Sequence, residues 1–145
     1  MSSIDHIATL FLSLALIDGP LVYTERELMY GCLQAWQSDL DRAGYLALLR
    51  RISGPVGRAD SPAALAALAA ESAAVLQPKI RKNRKRSVML MHHLCQLGQV
   101  DGALNTAEQR FLQKILRALG LHRRISVDIR GGLASLSTVS RDEAA

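Results

Sequence analysis

Apolar residues recur at helical spacing along nearly the whole chain, interrupted by short stops, and the pattern predicts about seven helices. The first covers Ser3 to Ile17 and is apolar on almost every side (Ile4, Ile7, Leu10, Phe11, Leu14, Ala15, Ile17), which places it at the centre of a core. Asp18-Gly19-Pro20 stops it, because Pro20 has no N–H and Gly19 readily takes a positive φ. The second opens at Thr24, with Glu27 spaced for a T-x-x-E capping box, and carries Leu28, Met29, Cys32, Leu33 and Trp36. A third, capped by Ser38 or Asp39, carries Leu40, Ala43, Leu46, Leu49 and Ile52. Arg50 and Arg51 lie in its last turn and Gly54-Pro55 ends it. Gly54 to Asp60 reads as the one linker. Ser61-Pro62, an N-cap followed by proline at the first helical position, opens an alanine-rich helix to about Gln77. Pro78 separates that helix from a basic stretch leading into Val88, Leu90, Met91, Leu94 and Leu97, which Gly98 and Asp101-Gly102 end. A sixth helix starts at Thr106, with Gln109 to complete its box, and stops at Gly120. A seventh is expected between Arg123 and Leu136, weakened by Gly131-Gly132, and residues 137–145 read as a polar tail.

Composition supports this helical reading. The 145 residues are 49% apolar and 21% charged but only 4% aromatic, enough to bury one core and too few aromatics to suggest a β-sandwich. The longest run without a formal charge, Ser87 to Val100, contains two histidines and is too short to span a membrane. Ile7 to Ile17 lacks the preceding cation and the cleavage site of a secretory signal. Two cysteines, Cys32 and Cys95, cannot make a disulfide framework, so the cytoplasm is the expected compartment. The net charge of +5 comes from one segment. Lys79, Arg81, Lys82, Arg84, Lys85 and Arg86 fall within eight residues that hold no acid, and the remaining twelve cations face thirteen acids.

One pattern occurs twice. Asp18-Gly19-Pro20-Leu21 with Glu25 returns as Asp101-Gly102-Ala103-Leu104 with Glu108, 83 residues later and without a gap. Each copy follows an apolar helix and precedes an amphipathic one, and Leu33 and Ala35 match Leu116 and Ala118. Two related helical hairpins, around 4–36 and 87–119, packed about a pseudo-twofold axis account for this most simply. The duplicated D-G-x-hydrophobic-x-x-x-E element resembles the TerB (tellurite-resistance) family of all-helical bacterial domains, relatives of which open some membrane-anchored DnaJ-type co-chaperones. The resemblance covers residues 1 to 120. It implies a compact helical bundle acting in stress response without enzymatic activity, with an acidic cluster that binds a cation. By position, that cluster is Asp18, Glu25, Asp101 and Glu108. Glu25 is followed by Arg26 and Glu27 but Glu108 by Gln109 and Arg110, so the second copy is poorer in acids.

Four carboxylates brought to one place would repel, raising their pKa values unless a cation neutralises them, and all-oxygen ligands suit Ca²⁺ or Mg²⁺. The alternating Asp/Asn ligands of an EF-hand are missing after Asp18 and Asp101. Asp before Gly is also ordinary turn chemistry, and Glu in a first helical turn is favoured by the helix dipole alone. The basic run suits an acidic protein partner or an anionic membrane surface, which would make the protein peripheral at the inner membrane. Nucleic acid is less favoured, because no aromatic falls between Tyr45 and Phe111 to stack on bases. His92, His93 and Cys95 lack a second zinc-spaced pair and read as packing, as do Cys32 and Trp36. No triad order, phosphate loop or nucleotide fingerprint can be read. The sequence thus predicts a single all-α domain over 1–136, non-enzymatic, that binds a divalent cation or a protein partner through its acidic turns. A metal-free co-chaperone or scaffold module is the alternative, and a nucleic-acid accessory protein using residues 79–86 the second.

Overall fold

The computed structural model describes residues 2–138. Six helices are followed by a β-hairpin: α1 Ser3–Ala15, α2 Tyr23–Trp36, α3 Arg42–Arg58, α4 Pro62–Arg81, α5 Arg84–Gln99, α6 Thr106–Ala118, β1 Ile125–Arg130 and β2 Leu133–Thr138. As its all-round apolarity requires, α1 is the central element, packed by α2, α3, α4 and α5. Ile7, Leu10, Phe11 and Leu14 are at most 3% exposed, and burying each contributes about 1.5–3 kcal/mol. Its one buried acid, Asp5, accepts from Arg51 at 3.0 Å and from the Ser2 amide at 3.3 Å.

Local cap chemistry sets the helix starts. Asp41, Ser61, Asn83 and Asn105 each accept a backbone N–H three residues on, at 2.7–3.1 Å. The expected starts shift accordingly. Asp41, not Ser38 or Asp39, caps α3. Thr24 does not cap α2; its box partner Glu27 instead holds Arg42 through both guanidinium Nη atoms, while Glu25 accepts from the Val22 amide at 3.2 Å. Likewise, Asn105 and Glu108 form the box of α6 in place of Thr106 and Gln109.

Two expected breaks are absent. Gly54 to Asp60 is not a linker, because α3 continues through Pro55 to Arg58. Nor does Pro78 end α4, which runs on to Arg81. Each proline removes a hydrogen bond and strains the helix by about 3 kcal/mol. Buried apolar pairs straddle both prolines, Ile52 with Val56 and Leu76 with Ile80, all at most 2% exposed. Packing of one helix face therefore outweighs the local break.

The seventh helix is replaced by strands. Ile125, Val127 and Ile129 alternate with Ser126 and Asp128, the two-residue period of a sheet. Gly131 and Gly132, at φ +60° and +77°, supply the two positive-φ positions of a tight hairpin turn. Arg130 faces Leu133 and Ile125 faces Thr138 in antiparallel register. The hairpin lies on α6 through β1 and on α5 through β2, and the Ala134 amide donates to Gln99 Oε1 at 3.0 Å. The chain remains predominantly helical. Of the expected polar tail, residues 139–145 lie outside the described residues. No helix among those described is long and apolar enough to cross a membrane.

Candidate functional site

The two Asp-Gly turns have the same local geometry. Gly19 and Gly102 adopt φ +140° and +127°, values that disfavour any side chain. The Gly19 amide donates to Leu16 O at 3.2 Å and the Gly102 amide to Gln99 O at 3.0 Å, a bond between corresponding residues of the two copies. Val22 N to Glu25 and Asn105 N to Glu108, at 3.2 and 3.0 Å, correspond in the same way. Each glutamate thereby commits Oε1 to its own helix start.

Both turns come to one corner of the molecule. The Asn105 side-chain amide donates to Asp18 Oδ1 across the boundary between them. Asp18 and Asp101 are exposed, whereas Glu25 and Glu108 are each only 7% exposed. Burial pushes the Glu25 carboxyl above its usual range against the Val22 hydrogen bond, and the charges of Asp101 and Asp18 push the same way. Glu108 is raised to about 7, again first by burial; the Asn105 amide opposes this, while the charge of Asp18, a hydrogen bond with it and the charge of Glu25 add to it. All four acids thus interact electrostatically. Among the described residues, however, no group of three or more His, Cys, Asp or Glu side chains stands at metal-holding spacing.

Asn105 is the residue that sequence reasoning missed. Its signal was N-x-x-E one position before the T-x-x-Q that was read, and no local pattern reveals its contact with Asp18, 87 residues away.

The basic segment divides. Lys79 and Arg81 lie in the last turn of α4, Lys82 in the turn, and Arg84, Lys85 and Arg86 in the first turn of α5, all exposed. Cations suit a helix C-terminus, so Lys79 and Arg81 have a stabilising role. Arg84, Lys85 and Arg86 sit at the positive end of a helix dipole, where each cation is disfavoured by roughly 0.3–1 kcal/mol. Arg124 joins this surface from outside the run, donating to Arg81 O at 2.7 Å. The segment and the acidic corner stand at opposite ends of α5, a helix of 16 residues and hence about 24 Å.

His93, Cys32 and Cys95 are packing groups in geometry, whereas His92, expected to pack with them, is exposed. Trp36 Nε1 donates to His93 Nδ1 at 3.2 Å, and the Phe11 ring meets His93 edge-on. Burial, then the neighbouring His92, lowers the His93 pKa. Cys32 and Cys95 are free and buried, and burial pushes both thiols to about 11, far from thiolate chemistry at neutral pH.

The sequence model of the family described as Tellurite resistance protein TerB matches residues 5–130, most of the chain. The chain belongs to the TerB family. Both acidic turns and all six helices, apart from the first two residues of α1, fall inside the TerB match, which also takes in β1. No curated protein and no solved structure matches the chain.

Proposed function

We propose that this TerB domain is a non-enzymatic, tellurite-resistance-like module whose working surface is the acidic corner, and that the corner takes a cationic ligand. The raised carboxyl of Glu108, beside Asp18 at the meeting of the two turns, carries this reading: burial first, and then the charges of Asp18 and Glu25, disfavour its ionised form, and a cation at the corner would offset both. The matching turns support their reading as a duplicated pair. Of the eight carboxylate oxygens, three already accept N–H hydrogen bonds, and the hydrogen bond between Glu108 and Asp18 leaves fewer than five uncommitted. Ca²⁺ takes six to eight oxygens directly, whereas Mg²⁺ keeps several waters and needs only one or two carboxylates. Acids that interact without standing at chelating distance therefore favour Mg²⁺, held partly through water.

The test is a thermal melt with millimolar Mg²⁺ or Ca²⁺. A ligand at one hundred times its Kd stabilises the folded state by about 2.7 kcal/mol, so the melting temperature rises. Asp18→Asn with Asp101→Asn abolishes the rise. No shift with either ion in the intact protein removes the cation reading. Val22 and Tyr23, 45% and 66% exposed beside the first turn, favour a second reading in which the cationic group belongs to a protein partner. A basic peptide that binds in the absence of metal, and loses binding in the same double variant, would select it.

A further inference from the structure

At the end of the bundle away from the acidic corner, four helices leave a cleft of about 250 Å³. Its walls are apolar: Ile4 and Ile7 from α1, Trp36 from α2, Leu76 and Ile80 from α4, and Met89 from α5. Ile4, Trp36 and Met89 are only half-buried, so the cleft leaves apolar surface in contact with water. The charged side chains of its lining are Lys79 and Arg86, both exposed, and no acid lines it. Neither cation forms an ion pair with a described residue. Lys79 Nζ donates instead to Ser3 Oγ at 2.9 Å, also on the lining. Asp5, two residues further along α1, is taken up by Arg51. Arg86 stands at the dipole end that disfavours it, so helix stability does not account for its position.

We propose that this cleft binds a small amphipathic anion, an aliphatic chain ending in a carboxylate. An apolar cavity of about 150 Å³ holds a benzene-sized molecule, so this one takes an aliphatic chain of about ten carbons. Apolar walls drive entry of the chain. The two unpaired cations supply the complementary charge for its head, and they select against a cationic or uncharged amphiphile of the same length. The proposal is independent of the acidic corner, since the cleft shares no residue with it.

Trp36, the only tryptophan in the chain, is a built-in reporter. Decanoate, kept below its micellar concentration, is titrated into the purified protein while Trp36 emission is followed, with calorimetry as a second readout. Expected are a saturable change, binding at least tenfold weaker in Lys79→Gln with Arg86→Gln, and no saturation with decyltrimethylammonium. Asp18→Asn with Asp101→Asn retains decanoate binding, which separates this proposal from the reading of the acidic turns. Both cations are exposed, and circular dichroism verifies that their double variant folds. Absence of saturation with decanoate, equal binding of the cationic amphiphile, or unchanged affinity in the double variant overturns the proposal. Binding to anionic vesicles without binding to decanoate also overturns it, and assigns the cations to a membrane surface.

Discussion

The two Asp-Gly turns share backbone geometry and differ in what covers them. Over the second turn lies the hairpin: the Leu104 amide donates to Gly132 O at 2.7 Å, and Leu104 is 4% exposed. The corresponding Leu21 is only half-buried, and the residues after it, Val22 and Tyr23, are exposed. The helix starts differ as well. Asn105 caps α6 with its side chain and reaches across to Asp18, while Val22 at the matching position has no polar group to offer. The same turn is therefore a sealed support on one side and an open edge on the other. The two glutamates are equally buried, yet Glu108 is raised to about 7 while the shift at Glu25 is smaller, and Glu108 alone adds a hydrogen bond with Asp18 to the effects of burial and neighbouring charge.

The largest test of this contrast is truncation of the paired leucines. Leu104→Ala removes a buried side chain that sits tightly against Gly98, where an added Cβ would lie only 2.5 Å from Leu104 Cδ2. It should cost about 2–4 kcal/mol in urea unfolding, whereas Leu21→Ala should cost about 1 kcal/mol or less. Equal losses would mean that the hairpin gives the second turn no additional cover.

Next in size is the titration of the two glutamates. Glu108 holds its proton in the folded state up to about pH 7 but releases it near 4.5 when unfolded. Between those values the folded state binds more protons, so stability falls as pH rises and levels off above about 7. Glu108→Gln, which can still reach back to the Asn105 amide, should flatten that fall and stabilise the protein at pH 8 by of order 1–2 kcal/mol. Glu25→Gln should act in the same direction and by less. A stability profile unaltered by Glu108→Gln would show that the carboxyl is not held neutral.

The smallest test concerns the caps. Asn105→Ala should cost about 1 kcal/mol, seen as a fall of about 3–4 °C in melting temperature. Val22→Ala should leave helix capping unchanged. If Asn105 also positions Asp18, its alanine variant should weaken cation binding as well as lowering the melt.

What the sequence disclosed follows the range of the forces involved. Central placement of α1, the Ser61-Pro62 start of α4 and both Asp-Gly turns depend on neighbouring residues, and the structure has them where the pattern placed them. Cap assignments slipped by one to three residues because several polar residues satisfy the same spacing. Which one serves is decided by burial: Glu25 turns inward while Glu27 is held by Arg42. Pro55 and Pro78 read as breaks because the apolar pairs that carry the helices past them gain their energy from distant partners. The hairpin was missed for the opposite reason. Its strands are six residues each, too short for period alone to decide, although Gly131-Gly132 between two alternating runs was a visible signal. Convergence of the four acids could not be read from either copy by itself.

The bond from Asn105 to Asp18 ties together stretches of chain separated by 87 residues. Neither half carries the complete corner, so proteolytic nicking followed by separation of the fragments would erase it even where each piece kept its helices. Ligand occupancy at that corner would then serve as a certificate of full assembly, visible only in chains whose first and last helices have found each other.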